Sequence, residues 1–455
     1  MLSRLRIPAL LCLLAISATV RGSAETADFH PKWLKNAALY EVNVRQFSEE
    51  GTFDAVTAEL PRIRDLGIDI LWLMPIHPIG EKNRKGPLGS YYAVKDYRAI
   101  NPEFGDRESF ARLVDRAHEL GMKVILDWVA NHTAWDHPWT ETNPDYYVRV
   151  DGEFVPPVED WSDVIELDYD NPELREAMID AMVHWVEEFG IDGFRCDVAE
   201  EVPVDFWEDA RAELNEHGEI VMLAEGQLPA FHDSAFEMTY AWHQMGEMRK
   251  LVAGEITAAD LAAYEEYEQE EKYPASAIRL KFLTNHDENS WHATVEEDYG
   301  PAAGVLRAYT VASRGMPLIY NGEEAGLDKQ LEFFEKDPIE WRPHPEGRRI
   351  ARLLAWKERN QALWNGVHGG EVVTLPTGAD DQVWAFTRAK GPDRIVALLN
   401  LSPEPASFAI DEPTVDGRYR DVMTGDLRRL DGKDSFRLPA WGYLLLERTG
   451  RPTDR

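Results

Sequence analysis

Four short stretches carry most of the chemistry this sequence could perform. They are Asp127-Trp128-Val129-Ala130-Asn131-His132, Gly193-Phe194-Arg195-Cys196-Asp197-Val198-Ala199-Glu200, Leu223-Ala224-Glu225-Gly226 and Phe282-Leu283-Thr284-Asn285-His286-Asp287. In each, an apolar run ends in acidic, basic or imidazole side chains. Carboxyl groups gathered at one place can move protons or attack an electrophilic centre, and a neighbouring Arg or His steadies their charge. Taken singly, each stretch has a plainer reading. An Asp or Asn just past a strand is commonly a helix cap or turn residue. An Arg two before an Asp can be a structural ion pair, and a lone loop His is more often structural. Four such ends facing one mouth make the plainer reading weak.

The surrounding elements decide whether they share a mouth. From about Ala37, short apolar runs alternate with amphipathic stretches. Leu39 to Val42, Ile68 to Met74, Lys123 to Val129, a run through Phe194, Ile220 to Ala224, Arg279 to Leu283 and Pro317 to Tyr320 read as strands. Phe53 to Leu66, Phe110 to Leu120, Pro172 to Phe189 and Phe206 to Leu214 read as helices, several closed by Gly. This alternation predicts an α/β fold with a parallel sheet and right-handed crossovers. Its length suits a (β/α)8 TIM barrel, whose polar residues past the strand C-termini face the active-site mouth.

Two regions break the rhythm. Residues 133–166 are rich in Trp, Pro and Asp without helical period, and read as an excursion after the third strand. Beyond Gly366, short strands such as Val383 to Phe386, Ile395 to Leu399, Phe408 to Ile410 and Tyr443 to Leu446 alternate with Gly, Pro and Asp turns. They predict a C-terminal antiparallel β-sandwich. The expected division is a leader over 1–24, barrel over 25–132 and 167–365, the excursion over 133–166, and the sandwich over 366–455.

The four stretches resemble, in order, the signature segments of the α-amylase superfamily of retaining glycoside hydrolases. Gly89 to Tyr97, Glu166-Leu167-Asp168 and Gly315 to Glu324 resemble its auxiliary segments. The resemblance covers nearly the whole chain after the leader, with the excursion as the family's B domain and the sandwich as its C domain. It implies Asp197 as nucleophile, Glu225 as general acid/base and Asp287 as the carboxylate that stabilises the transition state. Retaining glycosidases hold nucleophile and acid about 5–5.5 Å apart, and Glu225, near two other carboxylates in a partly dry cleft, is expected to have a raised pKa. Arg195 would keep Asp197 ionised, with Asp127 bracing it from behind. His132 and His286 would donate to sugar hydroxyls, Tyr92 would stack under the sugar being cleaved, and Glu200 would reach the acceptor side. Trp135, Trp139 and Trp161 read equally as sugar platforms or as core of the excursion.

Relatives of this kind often hold calcium, for which Asn131 and Glu166 match ligands; Glu201 stands where a His is usual. No other cofactor is implied. The implied substrate is an α-glucan or maltooligosaccharide, cleaved at α-1,4 bonds. The stretch Val198-Ala199-Glu200-Glu201-Val202 resembles neopullulanases and cyclomaltodextrinases, so action on small α-glucans, glucosidase or glucanotransferase, is the alternative. A non-catalytic binding relative is a third reading, which the presence of all three carboxylates disfavours.

Composition bounds the partners. Asp and Glu number 82 against 48 Lys and Arg, a net charge of −34. Such a surface repels phosphate backbones and anionic lipid, so no nucleic-acid or membrane role is expected. Lys is scarce, 14 against 34 Arg, a balance that resembles salt-adapted proteins. Arg4 and Arg6, the apolar run Ile7 to Val20 and Gly22-Ser23-Ala24 read as a signal peptide cleaved after Ala24. The protein is therefore expected to be exported, to periplasm or medium. Cys12 and Cys196 are the only cysteines, so the mature chain has no internal disulfide.

Overall fold

Eight parallel strands close into a barrel in sequential order. They are β1 (Leu39–Val42), β2 (Ile70–Leu73), β3 (Lys123–Trp128), β4 (Gly193–Cys196), β5 (Val221–Ala224), β6 (Met238–Tyr240), β7 (Ile278–Lys281) and β8 (Met316–Tyr320). The computed structural model describes residues 30–450, so the expected leader and Cys12 lie outside the described residues. Every barrel-strand residue except Lys123 is buried. Strands covered on both faces lose the in-out alternation of half-exposed sheets, which is why they read as continuous apolar runs.

Helices return the chain between strands, and local caps set their ends. Pro172–Phe189 starts on Asn171, whose side chain accepts from the Glu173 and Leu174 amides, and ends at Gly190 with φ 66°. Arg107–Glu119 opens with a reciprocal capping box between Asp106 and Ser109. The other two expected helices form as Phe53–Asp65 and Val204–Asn215. The largest shift from expectation is three residues, at the start of Arg107–Glu119, where the Asp106 cap and not the first apolar residue sets the helix end. The sequence reading missed β6. It has three residues, one of them the buried polar Thr239, too few to show a period.

The excursion after β3 is pinned by an antiparallel pair, His132–Ala134 with Val164–Glu166. Ile79, Ala93, Ala134 and Val164 form its small core against Trp161. The C-terminal region is a six-stranded sheet facing a two-stranded one, antiparallel throughout. Along Val383–Lys390, Val383 and Ala385 enter the sandwich core while Trp384 and Phe386 join the barrel core. Trp384 packs on Tyr309 with ring centroids 5.5 Å apart, a contact worth about 0.5–1.5 kcal/mol beyond the area it buries.

Candidate active site

In the pairing of β4 with β5, Cys196 stands beside Ala224. The next residue on each strand is Asp197 and Glu225. Neighbouring strands run about 4.7–4.9 Å apart, so the two carboxyls leave the barrel at one level, side by side. The backbone stays tied just past the strands: Glu225 N–H donates to Cys196 C=O at 2.9 Å, and Ala199 N–H to Glu225 C=O at 3.1 Å.

Arg195 lies two residues before Asp197, on the same strand face, and is fully buried. Its Nη1 donates to Asp127 Oδ1 at 2.8 Å and to Asp197 Oδ1 at 2.9 Å. Its Nε donates to Tyr240 OH at 3.2 Å. Nη2 lies 2.8 Å from Glu225 Oε2, but without hydrogen-bond alignment, so this contact is Coulombic. Asp127 Oδ2 accepts from Trp72 Nε1 and from Tyr92 OH, both at 3.1 Å. With its proton directed at Asp127, the Tyr92 hydroxyl accepts from His286 Nε2 at 2.7 Å. His286 Nδ1 in turn hydrogen-bonds Glu41, and Nε2 lies 3.4 Å from Asp287 Oδ2.

Burial dominates the electrostatics. It pushes the carboxyls of Asp127, Asp197 and Glu225 up, to about 6, 7 and 7, against the pull of Arg195 on each. The charges of Asp197 and Asp287 raise Glu225 further. Hydrogen bonds decide where a shared proton rests. Asp127 receives three donors and Asp197 an aligned guanidinium bond, whereas Glu225 Oε2 receives the Val198 N–H at 2.8 Å. Glu225 is thus the best place for the proton and Asp197 the better-stabilised anion. Burial alone would lower His286, but Asp287 and Glu41 outweigh it and lift the imidazole to about 9. Burial lowers His132 to about 3, leaving it neutral.

These groups line a cleft of about 770 Å³. Of the residues singled out from sequence, Tyr92, His132, Asp197, Glu225, His286 and Asp287 reach its wall. Arg195 and Asp127 lie beneath it. Glu200 is exposed beyond the cleft wall, its carboxylate accepting from the Gln227 N–H and packed against Gly226. Trp161 lines the cleft, while Trp139 packs among Tyr97, His137 and Tyr146, and Trp135 donates to Ser162 C=O. A larger hollow, about 870 Å³, lies between helices Phe53–Asp65 and Pro345–Arg359 and contains none of the four stretches.

Asn131 and Glu166 lie apart from the carboxylates, where excursion meets barrel. Asn131 is buried, its amide Nδ2 directed to His132 Nδ1 at 3.3 Å, which leaves Oδ1 available. Burial raises Glu166, and both charges acting on it, Glu201 and Asp168, are negative. A hard-oxygen, negatively charged donor set fits calcium.

Sequence reasoning missed Glu41, Trp291, Phe333 and Phe334. Glu41 had a readable signal, an acid inside the apolar run Leu39 to Val42; it is fully buried, and its Oε2 has no partner among the described residues. The aromatics had none, since such residues also fill cores.

The alpha-amylase catalytic-domain model matches residues 35–155 and 158–278, more than half of the chain. Alpha-amylase MalA of Haloarcula japonica is 29% identical over 423 residues, 88% of this chain and 60% of that protein. An alpha-1,4-glucan:maltose-1-phosphate maltosyltransferase of Rhodospirillum rubrum is 34% identical over 406 residues, 81% of this chain and 57% of that protein. The chain thus spans 60% or less of these two relatives' own length. The crystal structure of an alpha-amylase from Lactobacillus plantarum superposes with a TM-score of 0.82 at 33% identity, covering 92% of this chain and all of that one. Barrel, sandwich and comparisons converge: the chain belongs to the alpha-amylase family of glycoside hydrolases and transferases.

Proposed function

We propose that this protein is an exported, retaining α-glucan hydrolase that cleaves α-1,4 bonds of starch-like polysaccharides or maltooligosaccharides. The observation that carries this reading is the placement of Asp197 and Glu225 side by side just past β4 and β5, both touching Arg195, with Asp287 on the same cleft wall. In the first step Asp197 attacks the anomeric carbon as Glu225 gives its proton to the departing glycosidic oxygen. The C1–O bond breaks and a glycosyl–Asp197 ester forms. In the second, Glu225 takes a proton from water, whose oxygen attacks C1 and releases Asp197. Neighbouring-strand carboxyls favour this direct attack over inversion, which needs about 6.5–9.5 Å for a water between them. Neutral His132 donates to a sugar hydroxyl, His286, whose two N–H groups are taken by Glu41 and the Tyr92 hydroxyl, lends the cleft its positive charge, and the Tyr92 ring supports the sugar face.

Asn131, Glu166 and Glu201 would hold a calcium ion, which would neutralise the two acids and fix the excursion to the barrel. A second reading, glycosyl transfer to a sugar acceptor, is favoured by the similarity to a maltosyltransferase. A time course on maltohexaose, following product lengths and anomeric configuration, separates the two. Short α-configured products appearing first support hydrolysis, products longer than the substrate support transfer, and the absence of products removes both.

A further inference from the structure

A cleft that cuts within a polymer must be open at both ends. In this protein one end carries a wall, made by the loop that follows β2. Its stem is held by the bridge between Ile79 and Val94 and by Gly80 N–H donating to Ala93 C=O at 2.9 Å. Its tip, residues 85–88, joins the two sides of the cleft. On the excursion side Lys85 Nζ donates to Asp160 C=O and lies 3.3 Å from Asp163. On the other side Leu88 N–H donates to Phe334 C=O at 3.0 Å. Gly86, at φ 61°, lies so near Phe334 that an added Cβ would stand 2.4 Å from the Phe334 Cβ.

The tip is fastened from below by Arg45, which is fully buried. Its Nη1 donates to Gly89 C=O at 3.3 Å and Phe333 C=O at 3.4 Å, and its Nη2 to Leu88 C=O at 3.5 Å. Glu103, 3.1 Å away, balances its charge. A buried cation donating to carbonyls on both sides of a junction makes that junction part of the fold.

Topology says which end is closed. The tip follows β2 and meets the segment that follows β8, so the wall stands over β8, β1 and β2. Glu225 follows β5, opposite β1 in a ring of eight. Tyr92 stacks on Phe333 at 6.3 Å and 11° between planes, and His132 packs on Trp161 at 5.5 Å. The sugar held by Tyr92 and His132 therefore lies on the wall's side of Glu225, and the leaving sugars extend toward Glu225. The sugar that keeps its anomeric carbon on Asp197 belongs to the non-reducing part of the chain.

Resting on the hydrolase reading above, we propose that residues 85–88 close the donor end of the cleft, so that the protein acts on non-reducing chain ends of α-glucans and releases a short unit of fixed size. The cleft, about 770 Å³ with Lys85 of the tip and Asp160, Asp163 and Phe334 that it joins in its lining, has room for a few sugar rings between the wall and the catalytic carboxyls.

The test compares p-nitrophenyl α-maltoheptaoside with the same compound carrying a 4,6-ethylidene block on its non-reducing sugar, with all products resolved by chromatography. The expected result is cleavage of the free compound with one short sugar released first, and at least about 100-fold slower cleavage of the blocked one. Comparable rates on both, with mixed product lengths, would overturn the proposal while leaving the hydrolase reading in place. No cleavage of either, with maltohexaose also intact, would remove the hydrolase reading and this proposal with it.

Discussion

The Glu225 carboxylate receives the backbone N–H of Val198 at 2.8 Å, and Val198 holds φ 36°, ψ 49° to deliver it. A β-branched residue in the left-handed region is a steric outlier, with a cost of order 1–3 kcal/mol. The strain falls one residue past Asp197, where it turns the chain so that its amide points at the neighbouring carboxyl. Val198→Gly removes the clash but leaves the segment free to move. Stability is expected to rise by about 1 kcal/mol after the entropic cost of glycine, while kcat falls. A variant that melts lower than the parent would show that Val198 is unstrained.

Asp197→Asn and Glu225→Gln are expected to lower kcat by roughly three orders of magnitude or more, with the fold intact by circular dichroism. The activity profile follows from the raised carboxyls. The active form needs Glu225 protonated and Asp197 ionised, so activity falls as pH rises through about 7 and falls again on the acid side as Asp197 takes up its proton. Stability carries the matching sign. A carboxyl with a raised folded pKa favours the fold below its ordinary pKa, and that contribution is lost as pH rises through about 7. Glu225→Gln should therefore raise the melting temperature at pH 8, and the gain should vanish toward pH 4. Equal melting temperatures at pH 8 would mean that Glu225 is not held against burial.

Much of this site was legible because its parts are local in sequence. Asp197 and Arg195 are two apart, and the acid at Glu225 ends a four-residue apolar strand, so each announced itself within a few residues. The barrel was legible for the same reason, except β6, whose three residues include a polar one. What was not legible is non-local. The bond from Lys85 to Asp160 spans 75 positions, and Arg45 reaches the Phe333 carbonyl across 288. Nothing in the composition of residues 85–88 marks a wall, because its partners are mostly backbone carbonyls that every residue has. Trp291 and Phe333 became part of the cleft only once two distant loops had met.

Glu41 shares with Asp287 the charging of His286. It is fully buried, and its hydrogen bond to Nδ1 helps lift the imidazole to about 9. Glu41→Gln keeps the shape and removes the charge. The His286 pKa should fall by a unit or more in an imidazole NMR titration, with kcat lowered about tenfold and KM little changed. The stabilisation from a raised His is complete below its ordinary pKa and lost as pH rises through about 9, so the variant should lose stability at pH 6 and much less at pH 10. A titration that leaves His286 unmoved would transfer its charge state to Asp287 alone.

The acids where excursion meets barrel make calcium a measurable question independent of activity. Glu166 is raised by burial and by the like charges of Glu201 and Asp168. An ion bound there stabilises the folded state by mass action, about 2.7 kcal/mol when free calcium is 100 times its dissociation constant. The melting temperature in millimolar calcium should exceed that in chelator, and Glu166→Gln should shrink the difference. Superimposable melting curves with calcium and with chelator would leave the acids as ordinary solvated side chains.

A net charge of −34 on 455 residues, with only 14 Lys among the cations, leaves the acids in excess of the cations that could pair with them. Their repulsion opposes the compact state, and it acts over the Debye length, about 10 Å at 0.1 M salt but about 3 Å at 1 M. The melting temperature should therefore climb steeply as sodium chloride rises from 0.05 to about 1 M, where screening nears completion. Sodium chloride screens charge, whereas sucrose strengthens burial without doing so. Sucrose at matched osmolality should consequently reproduce little of the low-salt climb. A melting temperature flat across that range would mean that the acidic side chains are already balanced by local ion pairs, and that the charge excess serves solubility alone.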